Sequence, residues 1–321
     1  MRSIIKLIVL LLFFTRLSLA CDVCGNYMGM TPYNNKNSIS FLHRYRVFNG
    51  YRYYQSKNEF FPANAYRVMH GGGSENDSLQ TTHLHSSKDF ESYKIFELRA
   101  KYFIAKRFEI NTFIPVLNNK SKTNDVYINN TGLGDISVNG GYHLILPKDD
   151  KTTKHKLVAG AGIKLPTGNN NVKNAGFRLP FEMQAGTGST DGFIYLTYVV
   201  MHKNIGCSIN ANYKVNGKNK YQERMSNSTS NFATLFYKIK IKSVALYPSV
   251  QANYEYTNGL ISNSKLDKTS GIACLMVGPG LDVYYKSFSL NTSWQFTTLE
   301  NIAPNELESA GRISVGLNYN F

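Results

Sequence analysis

A two-residue period of apolar side chains, repeated in segments of about ten residues, most constrains what this chain can fold into. Between positions 108 and 116, for example, Phe108, Ile110 and Ile114 alternate with Glu109 and Asn111. Successive side chains of a β-strand point to opposite faces, so the pattern predicts strands with one apolar and one polar face. Beyond residue 20, no segment sustains the period of a helix.

Thirteen segments fit this period, separated by Asn-, Gly- and Lys-rich stretches that are typical of loops. In the segment 94–104, the alternation predicts a register slip near Ile95. The candidate strands are 38–48, 94–104, 108–116, 136–144, 155–165, 180–187, 191–202, 204–215, 230–241, 243–256, 270–285, 286–298 and 311–321.

These segments predict an all-β fold, a closed antiparallel outer-membrane β-barrel that spans 38–321 with a long loop near 55–91. Single-chain bacterial barrels have even strand numbers, so we expect about 12 strands, or alternatively 14. The mean hydropathy of −0.29 excludes a bundle of membrane helices. In a barrel, the apolar half of each strand faces lipid, and averaging with the polar half conceals it.

The last segment alternates to the final residue, with Leu317, Tyr319 and Phe321 on one face. It resembles the C-terminal strand by which outer-membrane barrels are recognised for assembly. We therefore expect the barrel-assembly machinery, acting on the strand that ends at Phe321, to be a partner. Aromatic residues at strand ends also fit the girdles that barrels place at membrane interfaces.

The first twenty residues have the pattern of a cleaved secretory signal peptide. Arg2 and Lys6 precede a short apolar run, and Ala20 precedes Cys21. Export of this kind predicts the bacterial outer membrane as the location. Acylation of Cys21 is the alternative, but lipoprotein signals prefer Leu three residues before the cysteine, where this chain has Ser18. Residues 21–37 then form an N-terminal Cys segment, a periplasmic or luminal plug.

Three glycine-containing motifs lie at 131–136, 164–168 and 186–191, with the sequences TGLGDI, KLPTG and GTGSTD. Gly and Asp favour tight turns and Pro ends a strand, so barrel geometry accounts for all three. The last lacks the Gly-Lys-Ser/Thr ending and the helix of a phosphate-binding loop.

Together the motifs resemble the outer-membrane barrel family labelled as phenol meta-pathway degradation proteins, often called transporter-like, over roughly 92–321. The start of the mature chain, CDVCG at 21–25, resembles a Cys-led (CxxC) subgroup of such barrels. The resemblance implies an outer-membrane barrel, and it says little about the substrate because most members lack a proven one.

Cys21 and Cys24 form a CxxC pair that can close a disulfide in an oxidising compartment. Alternatively, Cys21 and Cys24 with His83 and His85 can hold Zn²⁺ or a copper ion. Otherwise no cofactor is predicted. Cys207 and Cys274 each stand on an apolar face, where pairing is possible but not implied.

The net charge of +15 falls to +12 once Arg2, Lys6 and Arg16 leave with the signal peptide. The basic residues are dispersed and form no nucleic-acid-binding motif, so we expect no nucleic-acid partner. Attraction to outer-membrane lipid and lipopolysaccharide, and a luminal field that favours anions, explain the charge better. The candidates for lining the lumen are Arg99, Lys101, Lys164 and His143.

No catalytic set stands out, so we expect a protein that is not an enzyme. The favoured function is passive passage or binding of a small solute of unknown identity through a polar lumen. A metal-ion-binding barrel that uses the N-terminal Cys/His segment is the alternative. An outer-membrane hydrolase ranks lower.

Overall fold

The structure is a computed structural model that describes residues 36–51, 89–123, 126–148, 151–267, 270–302 and 307–321. The predicted signal peptide (1–20), nearly all of the predicted Cys segment and most of the predicted loop near 55–91 lie outside these residues. None of the helices in the described residues is long enough and apolar enough to cross a membrane.

Strands dominate the described residues. In chain order they are β1 (Ser38–Tyr51), β2 (Phe90–Ala105), β3 (Phe108–Thr123), β4 (Val126–Leu133), β5 (Ser137–Ile145), β6 (Thr153–Lys164), β7 (Lys173–Asn174), β8 (Phe177–Arg178), β9 (Asp191–His202), β10 (Ile205–Val215), β11 (Glu223–Met225), β12 (Ser228–Tyr237), β13 (Ile239–Ile241), β14 (Val244–Thr257), β15 (Leu260–Ser262), β16 (Lys265–Asp267), β17 (Ile272–Tyr285), β18 (Phe288–Asn301) and β19 (Leu307–Asn320).

One sheet closes on itself. Antiparallel pairing runs in the order β12-β10-β9-β6-β5-β3-β2-β1-β19-β18-β17-β14, and β12 pairs with β14 to complete the ring. β4 also pairs with β3 and continues β5 as one interrupted strand, while β13 continues β12 along β14. Across the described ranges, the predicted all-β, closed antiparallel barrel is confirmed, with twelve strands in its wall.

The predicted strand 180–187 is wrong. This segment lies in the connection between β6 and β9, where Phe181–Met183 forms a 3₁₀ turn. Its alternation arises because Leu179, Phe181, Met183 and Ala185 are buried on the inner side of a connection that folds back onto the barrel. Removing this candidate leaves twelve of the thirteen.

Alternation along each strand separates a lipid face from a luminal face. On β2, Phe96 and Leu98 are exposed, whereas Ile95 and Glu97 are buried. The register of β2 with β1 and β3 is continuous through Ile95, so the predicted slip there is wrong. Ile95 is instead an apolar residue on the luminal face.

The two ends of the barrel differ in their connections. At one end, which also holds Ser38 and Asn320, turns as short as two residues join β2 to β3, β9 to β10, β13 to β14 and β17 to β18. We call this the short-turn end. The other, long-loop end carries the β6–β9 connection and two small sheets, β7-β8 and β11-β15-β16. In barrels of this kind the short turns face the periplasm.

The lipid-facing assignment predicts the effect of charge at mid-strand. Leu196 lies near the middle of β9 and is 46% exposed. Leu196→Arg should lower the free energy of unfolding by about 2–4 kcal/mol, because an arginine at mid-bilayer depth loses its hydration. Urea titration of the protein refolded into phosphatidylcholine vesicles measures this. With Leu196→Ala as the matched control, equal losses for the two variants would contradict the assignment.

Candidate functional site in the barrel lumen

The luminal face is built from polar and charged side chains that have little water around them. Asn, Ser, Gln, Arg and carboxylate side chains of every wall sector are buried, and most of the bulky apolar side chains point to lipid. A buried charge is stable only when it is paired or hydrogen-bonded. The luminal side chains therefore organise themselves into networks that span the barrel.

The central network joins Arg46 on β1, Arg312 on β19 and Glu255 on β14. Arg46 Nη1 lies 2.8 Å from Glu255 Oε2, and Arg312 Nη1 lies 2.6 Å from Glu255 Oε1. Three strands separate β1 from β14 along the ring, so this contact crosses the lumen as a chord. All three side chains are at most 4% exposed. We call Arg46, Glu255 and Arg312 the luminal chord.

Amide groups extend the luminal chord along the wall. Arg312 Nη2 donates to Gln295 Oε1 at 2.7 Å, and Gln295 Nε2 donates to Gln251 Oε1 at 3.3 Å. The Arg312 guanidinium also lies 5.6 Å from the centre of the Phe232 ring on β12. The lumen is consequently narrowed in the half nearer the long loops.

A cavity of about 120 Å³ lies between the luminal chord and the short-turn end. A volume of this size holds roughly eight waters or a small solute. Its charged lining is mainly basic, with Arg99, Lys101 and Lys156 facing one carboxylate, Glu109. Leu42, Phe113, Val158, Val199 and Phe232 supply apolar patches of the lining.

The cavity's acidic group is already hydrogen-bonded, whereas two of its basic groups have no ion-pair partner among the described residues. Glu109 Oε2 lies 2.9 Å from His143 Nε2, and Arg99 is ion-paired with Glu97. Within the described part of the chain, neither Lys101 nor Lys156 has an ion-pair partner within 4.0 Å. Lys156 is only 5% exposed, so its ammonium is buried without a counter-ion beside it. This arrangement attracts an anion into the cavity.

The residues predicted to line the lumen have different surroundings. Arg99 and Lys101 line the cavity. His143 is fully buried behind the cavity wall against Glu109 and Phe103. Lys164 lies at the long-loop end rather than in the cavity, ion-paired with Asp135 and with Asp191.

The metal and disulfide candidates Cys21, Cys24, His83 and His85 lie outside the described residues. The metal site, the disulfide and the Cys-led subgroup therefore stay predictions. Among the residues that the structure does describe, no cluster of three or more His, Cys, Asp or Glu side chains could hold a metal ion. Cys207 and Cys274 are both free thiols.

The three sequence motifs meet at one point of the long-loop end. Asp135 belongs to the first motif and accepts hydrogen bonds from two residues of the second motif. The donors are Lys164 Nζ at 2.5 Å and the backbone N–H of Gly168 at 3.0 Å. Asp135 also accepts the backbone N–H of Thr187, in the third motif, at 2.9 Å. A carboxylate with several charge-assisted donors is strongly held. The motifs thus fasten the β6–β9 connection onto the barrel.

Glycines allow two irregular backbone segments of this connection to cross closely. A Cβ added to Gly186 would lie 2.4 Å from the carbonyl carbon and oxygen of Gly168. Asn119 and Asn130 hold the same segment from the wall, donating to the carbonyls of Gln184 at 3.1 Å and Met183 at 2.8 Å. The connection is therefore packed against the lumen mouth.

Sequence reasoning missed Lys156 and all three members of the luminal chord. Lys156, Arg46 and Glu255 stand on the polar faces of the predicted segments 155–165, 38–48 and 243–256. A charge on the inward face of an alternating segment was the available signal. Which of these charges meet depends on the strand register around the whole ring.

The close backbone crossing predicts that alanine substitutions at two glycines will change stability by very different amounts. Gly186→Ala should lower the free energy of unfolding by about 1–3 kcal/mol, because the new methyl group collides with rigid backbone. In Gly192→Ala the methyl group meets nothing within 4 Å, so stability should stay constant or rise by up to about 1 kcal/mol. Urea denaturation, together with the rate of trypsin cleavage within 165–190, measures both. Equal behaviour of the two variants would rule out the crossing.

The luminal chord makes a second prediction. Glu255→Gln removes the negative charge between two buried guanidinium groups, so unfolding should become easier by about 3 kcal/mol. Glu223→Gln is the matched control. Its partner Arg178 lies 2.7 Å away and is partly exposed, so the free energy of unfolding should fall by about 1 kcal/mol or less. Thermal and urea unfolding of both variants in the same vesicles decide the matter. A larger loss for the control would refute the role of Glu255.

Several solved structures of outer-membrane proteins resemble this barrel. An outer membrane channel from Pseudomonas putida F1 aligns with a TM-score of 0.61 at 12% identity, covering 92% of this chain and 98% of that chain. The transport unit of the autotransporter AIDA-I from Escherichia coli gives 0.46 at 11% identity, covering 94% and 95%. The β domain of the Bordetella autotransporter BrkA gives 0.44 at 9% identity, covering 90% and 100%. The first likeness shows a shared fold.

Sequence comparison identifies the family. No curated protein matches the chain significantly. Residues 71–317 match the family described as "Putative MetA-pathway of phenol degradation". The match takes in most of the 321 residues, and the apolar outer face of the closed barrel requires a lipid surround. The chain is therefore a β-barrel of the bacterial outer membrane that belongs to this family.

Proposed function

We propose that this barrel is a passive channel for small anionic solutes across the outer membrane. The observation that carries the proposal is the pair Lys101 and Lys156, whose ammonium groups face the luminal cavity with no ion-pair partner among the described residues. Channels select ions by the charges that line a constriction, and lysine rings are a common device for anions.

The cost of burying an ammonium group explains why an anion would enter. A cation withdrawn from water loses hydration free energy unless an opposite charge approaches it. Glu109 lies near both lysines but is already hydrogen-bonded to His143 at 2.9 Å, so it neutralises them only in part. An entering anion supplies the missing charge, and binding remains weak enough for release because Glu109 already offsets part of the positive charge.

The apolar patches of the cavity bear on the kind of anion. Leu42, Phe113 and Phe232 face the same space as the lysines. A small organic anion, such as a carboxylate with a short apolar body, can place its charge at the lysines and its body against these side chains. A bare inorganic anion interacts with the lysines alone and makes no use of the apolar side chains.

The luminal chord limits how fast solutes pass. It lies between the cavity and the long-loop end, and its arginine and glutamate side chains must shift to let a solute through. We expect a low single-channel conductance in consequence. The shared fold with an outer membrane channel supports passage rather than storage.

Reversal potentials in planar bilayers test the proposal. Under a KCl gradient the wild-type protein should prefer chloride over potassium. Lys101→Gln/Lys156→Gln should lower the chloride-to-potassium permeability ratio about fivefold or more, since one unit charge within about 4 Å of an ion contributes about 1 kcal/mol even in water.

The matched control is Lys173→Gln/Lys218→Gln, which removes the same charge from exposed positions at the long-loop end. Its permeability ratio should equal that of the wild-type protein. A cation preference in the wild-type protein, no conductance at all, or an equal shift in the control would refute the proposal.

A further inference from the structure

The exposed basic side chains at the short-turn end form a feature that the channel does not use. Two lie in the β2–β3 turn, two in the β5–β6 connection and one in each of the three later two-residue turns, while one precedes β1 and one lies in β13. No exposed Asp or Glu lies at this end in the described ranges, and Asp149 and Asp150 of the β5–β6 connection fall outside them. We call this set the basic rim: Lys36, Lys106, Arg107, Lys148, Lys151, Lys203, Lys240, Lys242 and Lys286.

Three of these lysines occupy a backbone conformation that lysine does not favour. Lys203, Lys242 and Lys286 have φ values of 52°, 52° and 54°, each at the first residue of a two-residue turn. Left-handed backbone is normally given to Gly, Asn or Asp, because other side chains collide with the following carbonyl. The same costly choice at three equivalent turns indicates that the ammonium group, rather than turn formation, determines the residue.

The basic rim lies next to an aromatic girdle. The Lys286 ammonium lies 5.3 Å from the centre of the Tyr285 ring. Exposed aromatic side chains, including Tyr142, Tyr237 and Phe288, occupy the neighbouring strand ends. Aromatic girdles mark the level where hydrocarbon gives way to headgroups. The lysines that follow the girdle therefore reach the depth of the lipid phosphates.

The long-loop end is built differently. There, exposed lysines such as Lys173 and Lys265 lie in the small sheets beyond the barrel sheet. Acidic side chains, among them Glu223 and Glu308, are interspersed with them. The exposed charges of that end are therefore mixed in sign, whereas every exposed charged side chain that the structure describes at the short-turn end is basic.

We propose that the basic rim binds the phosphate groups of anionic phospholipids in the leaflet that surrounds the short-turn end. The rim presents one positive charge after another around the barrel at headgroup depth, and each such charge near an anionic surface adds to binding. This interaction fixes the depth and orientation of the barrel in its membrane. It is independent of the proposed anion passage, because none of its residues lines the cavity.

The test uses the full chain refolded into vesicles of phosphatidylcholine alone or with one third phosphatidylglycerol. The variant Lys203→Asn/Lys242→Asn/Lys286→Asn removes three rim charges and installs a residue that tolerates left-handed backbone. In phosphatidylcholine alone its folding equilibrium constant should equal or exceed that of the wild-type protein. Adding phosphatidylglycerol should raise the folding equilibrium constant of each protein. This gain should be about tenfold or more smaller for the variant than for the wild-type protein.

Two controls separate the rim from general charge attraction. Lys173→Asn/Lys218→Asn/Lys265→Asn removes the same charge from the long-loop end and should keep the wild-type gain. Raising the salt concentration to 1 M should make the gains of the wild-type protein and the rim variant nearly equal, because the screening length falls to about 3 Å. A rim variant that keeps the full gain, or a control that loses as much, would overturn the proposal.

Discussion

Every charge that points into a closed barrel must find its partner inside the barrel, and this constraint organises the protein. Closure removes sheet edges and sends one face of each strand to lipid, so the opposite face has only the lumen. The luminal chord satisfies the constraint by letting Glu255 serve two arginines from another sector of the wall. Lys101 and Lys156 satisfy it only in part. Their remaining positive charge is what attracts an anionic solute into the lumen.

The long-loop end solves a second problem, which is how to hold a connection of more than twenty residues that does not pair with the strands of the barrel wall. Asp135 gathers donors from all three motifs, and close glycine crossings let the backbone segments touch. Two asparagines on the wall then bind the same connection through its carbonyl groups. The three glycine-containing motifs thus hold this connection in place, and the cavity lies elsewhere.

The sequence predicts the local features of this fold well and the long-range ones poorly. Two-residue alternation identifies the strands because lipid and lumen impose it directly. The same signal misleads at 180–187, where Phe181 and Met183 alternate by packing against the barrel rather than by pairing in it. Glu255 and Arg46 show the other limit, since their meeting depends on twelve strands of register and on no pattern within either segment.

Anion passage through this barrel requires that an anion be attracted to the space between Lys101 and Lys156. The most direct measurement is anomalous diffraction from crystals soaked in bromide. A bromide peak should appear in the cavity within contact distance of both ammonium groups, and it should disappear in Lys101→Gln/Lys156→Gln. A cavity without bromide in the wild-type protein, or one that takes up rubidium beside Glu109 instead, would contradict anion passage.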